Sequence, residues 1–444
     1  MKVYGGKDSN FASKSQQNRA MRSIIFQLAE DSSFRVRYMV ADKFVEVCAA
    51  YLDTVKGVST STVASTSPSI GLLADEEFIA CFLRFFREEE EQAVRVSAIL
   101  KSGEFARLLG PERTVQHFFG PYDSPFTDLP LLPRTALASV ILQFVPVLTQ
   151  GTTGTASDAT SPTATAASGT PTNGKSQNKV VIDRLFPMIL SFLSDDQSEV
   201  RIQMISKLGE DGAISSLSGD SNRTPFTIQV LATTLVPSLQ RLARDSKWRV
   251  RLQTIQLFPN IAAVFQKDLF QTNLFDTAIS WLSDSVWSVR EAAVANLVKL
   301  SQLFGREWCA ERILPKVLQL AQMEYSYAYR LTAVFAMRDL APLLGAQLLN
   351  AQVLPLLCNT MYRDPVPNVR FNVARLLGGL VRDNLIIDQE SISTIEQTLN
   401  RMKEDADGDV IYCAHQALKE GFGKGQHQQQ QQQQQHQQNT PMNI

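Results

Sequence analysis

Asp245-Ser246-Lys247-Trp248-Arg249-Val250-Arg251 decides the fold, because it is a break between two helical patterns that returns along the chain. Before it, Thr227 to Arg244 sets Ile228, Leu231, Leu235, Val236, Leu239 and Leu242 along one apolar stripe of a helix. After it, Trp248 to Val264 places Val250, Leu252, Ile255 and Leu257 on the inner side of a second helix, with Asp245 or Ser246 suited to capping it. Neither helix can bury its stripe alone, so such pairs have to stack, each covering its neighbour.

Reduced to its signature, the break is an acidic residue followed five and six positions later by Val-Arg. Clear copies are Asp31/Val36/Arg37, Asp195/Val200/Arg201, Asp245/Val250/Arg251, Asp284/Val289/Arg290 and Asp364/Val369/Arg370. Weaker copies are Glu89/Val94/Arg95, Asp128/Pro133/Arg134, Glu324/Tyr329/Arg330 and Asp405/Val410/Ile411. The last position therefore advances in steps of 58, 39, 67, 50, 39, 40, 40 and 41. A period near 40 is that of two-helix HEAT or armadillo repeats. The pattern predicts an all-α HEAT-repeat solenoid over residues 21–420, a right-handed superhelix of about nine antiparallel helix pairs. Each Asp is expected to cap helix B of its repeat, and the Arg to reach the acid of an adjacent repeat, forming a ladder.

The long steps coincide with insertions near 57–70, 151–178 and 212–223, rich in Ser, Thr, Gly and Ala, which cannot repay their ordering entropy and are expected to be disordered. The same expectation holds for residues 1–20 and for the tail 421–444 with its run Gln428 to Gln435.

Charge narrows the function. Forty-three Lys and Arg stand against 44 Asp and Glu, a net charge of -1, which offers no basic excess for a phosphate backbone. Cys48, Cys81, Cys309, Cys358 and Cys413 lie far apart, without zinc or disulfide spacing, and read as reduced thiols. The first residues lack a signal-peptide core, and the longest apolar run, Ala136 to Leu148, is interrupted by Gln143 and Pro146. A cytoplasmic protein is expected, with the nucleus also open, and neither nucleic acid nor membrane as partner. His117, His415, His427 and His436 sit in no catalytic or metal-binding motif, and no phosphate-binding glycine motif occurs. No catalytic, cofactor or metal site is expected.

Several strings carry more than a generic repeat. Arg35 to Phe44, Lys247 to Leu252, Phe304-Gly305-Arg306-Glu307-Trp308, Ile313 to Leu318 and Asp364 to Ala374, in that order and spacing, resemble the scaffold (A) subunit of protein phosphatase 2A. The resemblance is strong from Thr227 to Leu418, clear at Asp31 to Phe44 and faint from Gly57 to Arg184. That family has about fifteen HEAT repeats, and this chain looks like the last nine, N-terminally shortened. The resemblance implies a non-catalytic regulatory subunit that binds the phosphatase catalytic subunit through the A-to-B turns of its last five repeats. Regulatory B-type subunits, which in the family use mainly the N-terminal repeats, are a weaker expectation. The implied contact residues are Lys247, Trp248 and Arg249; Val286 and Trp287; Tyr327; Val366, Pro367 and Asn368; and Asp407 and Asp409. Aromatic and Arg side chains of this kind dominate interaction hot spots, although each aromatic could also fold back onto its own helices. Two departures stand out: Met323-Glu324-Tyr325 at the seventh turn, and Ile411 where a basic residue is usual. Another HEAT adaptor with a different client, and an enzyme with a site between Gly57 and Arg184, are the competing readings.

Overall fold

The computed structural model describes residues 8–56, 73, 75–119, 129–149, 179–217 and 226–422. The expected insertions at 57–70 and 151–178, and the tail from 423 on, lie outside these residues. Within them, every regular element of three or more residues is a helix.

Among the described residues the helices fall into nine successive pairs in chain order. They form two compact units, Met1–Leu242 and Ala243–Ile444. The first pair is Asp8–Ala29 with Phe34–Lys56, so the opening helix starts well before Met21 and occupies part of the stretch expected to be disordered. The second pair, Glu76–Arg87 with the helix from Gln92, is held by phenylalanines: Phe44, Phe78, Phe82, Phe85 and Phe105 are all buried, and Phe82 stacks on Phe105 at 4.0 Å. The third insertion is not wholly irregular, since Ala213–Leu217 forms a helical turn that buries Ile214 and Leu217; residues 218–225 lie outside the described residues. Leu131–Thr149 is long and apolar enough to cross a membrane, which the interrupted run in the sequence did not suggest. It packs against neighbouring helices, and 56% of its apolar window is buried, as in the core helix of a stacked repeat.

In the second unit the B helices Trp248–Asn273, Trp287–Phe304, Tyr327–Leu344 and Pro367–Arg382 pack each on the next, followed by the helix at 408–422. Gly378 fixes how closely that last helix approaches: a Cβ there would lie 2.6 Å from the Ala417 Cβ and 2.8 Å from its Cα. Helices A carry Leu-Pro steps at Leu314-Pro315 and Leu354-Pro355, each preceded by a widened π turn, Cys309–Ile313 and Leu349–Val353. Proline has no N–H to give and its ring crowds the preceding turn, and a wider turn accommodates both.

Four of the described junctions from a B helix to the following A helix use one sharp residue. Gly110 (φ 76, ψ 174), Gly305 (φ 96, ψ 166) and Gly345 (φ 75, ψ 160) adopt a backbone conformation essentially confined to glycine. Gln266 occupies the same conformation (φ 60, ψ 177) with a side chain, inside the stretch Trp248–Asn273. Such strain costs on the order of 1–3 kcal/mol, more than glycine's extra unfolded-state entropy of about 0.5–1 kcal/mol. Gln266→Gly is therefore expected to stabilise the protein by about 1 kcal/mol, and Gly305→Ala to destabilise it; urea denaturation of both variants checks the pair of signs.

Candidate interaction surface

Where the ladder is complete, the signature's arginine does two jobs; Arg95 instead donates Nε to the Phe86 carbonyl at 3.2 Å. The signature arginine lies in the first turn or so of helix B, and its Nη1 turns back to donate to carbonyls of the turn that precedes that helix: Arg37 to Asp31 at 2.9 Å, Arg201 to Asp195 at 2.6 Å, and Arg251, Arg290 and Arg370 to Asp245, Asp284 and Asp364 at 2.7 Å each. Its Nε and Nη2 then grip the acid of the next repeat. Arg37 holds Glu89 at 3.0 and 2.8 Å, whereas Arg134 reaches Asp195 through one hydrogen bond, from Nη2 at 3.2 Å, its Nε lying 2.7 Å from the carboxylate as an ion pair without a hydrogen bond. Within the second unit Arg251 holds Asp284 (2.7 and 2.8 Å), Arg330 holds Asp364 (2.6 and 3.0 Å) and Arg370 holds Asp405 (2.8 and 2.7 Å). Two-pronged charge-assisted bonds of this kind are strong and geometrically specific.

The acids do not cap helix B as expected. Asp245, Asp284, Asp364 and Asp405 each accept the backbone N–H two residues on, at 2.8 to 2.9 Å, and so brace the turn. The N-cap positions fall to Lys247, Val286 and Val366, whose side chains make no capping bond. Asp407, accepting from the N–H groups of Asp409 (3.0 Å) and Val410 (3.2 Å), is the one acid here that serves a helix start directly.

Arginine–acid pairs tie turn five to six, seven to eight and eight to nine, and helix packing without such a pair joins six to seven, so the expected contact residues lie on successive turns of the second unit, with Lys247, Trp248 and Arg249 at their head. Lys247, Arg249, Asn368 and Asp409 are exposed, and Val286, Val366, Pro367 and Asp407 half-buried. Trp248 is half-buried with the Arg249 guanidinium 4.9 Å over its ring. Tyr327 is 51% exposed. Trp287 is 41% exposed, yet its ring also meets Phe335 of the next B helix edge-on at 5.4 Å, so the packing and anchor roles coexist. The sequence reading missed Tyr325 and Tyr412, 79% and 65% exposed, and missed Phe335 and Arg338, which adjoin Trp287. Tyr325 was legible as a further aromatic in the seventh turn; Phe335 was not, since only stacking brings it to Trp287.

Elsewhere the chemistry is structural. All five cysteines are buried, and burial pushes the Cys48, Cys81, Cys309 and Cys358 thiols up, Cys81 to about 11. His117, lowered chiefly by burial, lies in the helix that ends at Phe118, 3.7 Å from Glu76, and its carbonyl accepts a bond from Arg87. Among the described residues no cluster of His, Cys, Asp and Glu could hold a metal ion.

The HEAT repeat family matches residues 274–304 and 353–383, the helices of repeats six and eight. The chain is 31% identical over 127 residues to the A-type regulatory subunit of protein phosphatase PP2A from Saccharomyces cerevisiae, covering 28% of this chain and 20% of that protein. It is 43% identical over 65 residues to the protein of the same name from Schizosaccharomyces pombe, 15% of this chain and 11% of that one. This is a PP2A A-subunit-like HEAT-repeat protein. The matched stretches span a fifth or less of those relatives' lengths. In fold, the A-subunit-like chain also resembles the karyopherin Kap121p, bound in one structure to the extreme C-terminus of the protein phosphatase Cdc14p. That likeness has a TM-score of 0.52 and 13% identity, over 90% of this chain and 37% of that one.

The ladder gives the A-subunit-like protein an acid-sensitive side. Burial alone would raise the Asp284 and Asp405 carboxyls, but hydrogen bonds from Arg251 and Arg370 and from turn N–H groups more than offset it, so both are lowered. A carboxyl held below its unfolded value, about 3.9, contributes stability that is fully present above that value and is lost as pH falls through the lower, folded one. Thermal stability is therefore expected to fall steeply below about pH 4, with a shallower slope in an Arg251→Gln/Arg370→Gln variant. The most enclosed pair, Arg330 and Asp364 (side chains 9% and 4% exposed), reports on burial instead. Asp364→Ala leaves Arg330 buried without its acid and should cost about 3 kcal/mol or more in urea denaturation, while Arg330→Met/Asp364→Leu should cost less.

Proposed function

We propose that the chain is a non-catalytic scaffold that holds the catalytic subunit of a 2A-type serine/threonine phosphatase against the A-to-B turns of repeats five to nine. The observation that carries the reading is the row of exposed Trp, Tyr and Arg side chains standing on turns that the arginine ladder fixes in place. Large rigid aromatics beside arginine are the groups that dominate protein interfaces, and a pre-fixed row loses little entropy on docking. The likeness to subunits named regulatory, and the burial of all five thiols, agree with a protein that lends its partner a surface and performs no chemistry itself. Phosphatase activity would belong wholly to the partner, and substrate choice with it.

Trp248 is the sharpest test, since its indole rests against Arg249 and fills no core position. Trp248→Ala is expected to weaken binding of a purified 2A-type catalytic subunit by about 2 kcal/mol or more, roughly thirtyfold, with unchanged helicity. Titration calorimetry of the full chain gives the dissociation constant and circular dichroism the helicity. An unchanged constant, or no complex with the unsubstituted chain, would sink the proposal, and co-purification of an unrelated client on the same row would replace it.

A further inference from the structure

Within the second unit the ladder skips one rung. Arg290 is 7% exposed and donates Nη1 to the carbonyls of Asp284 and Ser285, as its counterparts do, but its Nε goes to the Thr332 hydroxyl at 3.2 Å. Among the described residues no carboxylate forms an ion pair with it.

The cause is a turn one residue longer. In the five clear copies the arginine's Nη1 reaches the acid's own carbonyl six residues back, as Arg290 does to Asp284; Arg330 reaches seven residues back to Met323, as well as six to Glu324. Met323 thus takes the backbone place of the acid and offers a thioether where a carboxylate belongs. Glu324, although spaced like an acid of the series, is exposed and lines a hollow beside Arg330 and Asp364, toward the following repeat.

Beside Arg290 the surface opens into a pocket of about 250 Å³ walled by Trp287, Val294, Thr332 and Phe335. The two aromatic rings meet edge to edge at 5.4 Å, and cations lie over both, Arg290 over Trp287 at 5.5 Å and Arg338 over Phe335 at 5.0 Å. Two acids also reach the rim: Asp339 is paired with Arg338 at 2.7 Å, and Glu291 is exposed. The guanidinium that lacks a carboxylate partner of its own is therefore that of Arg290: the charge of Asp284 reaches it, but both Asp284 oxygens are bonded to Arg251, and an under-compensated buried cation is a costly arrangement that an incoming anion relieves.

We propose that this pocket receives an aspartate or glutamate side chain of a partner polypeptide, which completes the missing rung on Arg290 while neighbouring apolar residues of the same segment pack on Trp287 and Phe335. The apolar walls favour a carboxylate borne on a peptide over a free ion, because a free anion leaves them exposed. The inference goes beyond the phosphatase reading and is tested without the phosphatase.

Met323→Asp supplies the carboxylate internally and leaves every lining residue in place. The full chain is titrated with a fluorescent peptide, blocked at both ends, that carries one aspartate between two leucines, and with its asparagine counterpart. Expected are an asparagine peptide at least about tenfold weaker, Met323→Asp weakening the aspartate peptide by about tenfold or more while raising the melting temperature, and neutral Met323→Asn within about twofold of the original. Equal binding of the two peptides, no binding of either, indifference to Met323→Asp, or full displacement of the peptide by inorganic phosphate at equal concentration would each overturn the assignment.

Discussion

The structure depends on one side chain used twice. In repeats five and eight an arginine near the start of helix B closes its own turn through one nitrogen and holds the next repeat's acid through the other two. The guanidinium suits this because its donors are fixed in a plane and stay charged; a lysine could satisfy one side only. Local geometry and stacking thereby become a single condition: a repeat whose turn is misfolded presents no acid and no arginine, and its neighbour loses a rung as well. The apolar stripes supply most of the free energy of stacking, since partly buried ion pairs repay little beyond their own desolvation. What the ladder adds is register. Helices sliding along one another would keep much of their apolar contact but would lose every two-pronged bond.

That division of labour explains where an interaction surface can arise. The acid and the arginine are committed, and the valine before the arginine is buried in every clear copy within the second unit. The positions between them are neither helix core nor ladder, and their backbone is already fixed. They are free to carry Lys, Trp, Tyr, Pro or Asn without cost to the stack, on a support that does not have to be ordered again when a partner arrives.

Much of this was legible in the sequence, because repetition multiplies weak signals. One Asp followed by Val-Arg says little, whereas nine breaks, five of whose eight steps are 39 to 41 residues, specify helix pairs, their turns and a ladder between adjacent repeats. Spacing could not tell bracing from capping, since an Asp two residues before the N-cap and an Asp at the N-cap look alike when either could start the helix. It also assigned Glu324 to the seventh turn by its distance from Arg330, where the backbone gives that place to Met323. The glycines at 110, 305 and 345 were visible, but their meaning lay in the junction conformation they share with Gln266. The pocket beside Arg290 had no signal of its own, because its two aromatic walls come from different repeats and meet only through stacking.

The interrupted rung separates two kinds of stability that coincide elsewhere in the second unit. Between repeats seven and eight, or eight and nine, the ion pair is internal, and the interface is complete whether or not anything is docked. Between six and seven the contact rests on the Thr332 hydroxyl, on Trp287 against Phe335, and on the apolar faces beneath. A hydroxyl returns less to a guanidinium than a carboxylate does, so the uncompensated part of the Arg290 desolvation is held in the unliganded protein. By linkage, an anionic group that binds there and not to the unfolded chain stabilises this joint by the free energy of its own binding. A rung that every repeat supplied for itself would make the stack firmer and the edge inert; leaving one to a partner makes the stiffness of the stack depend on what is bound.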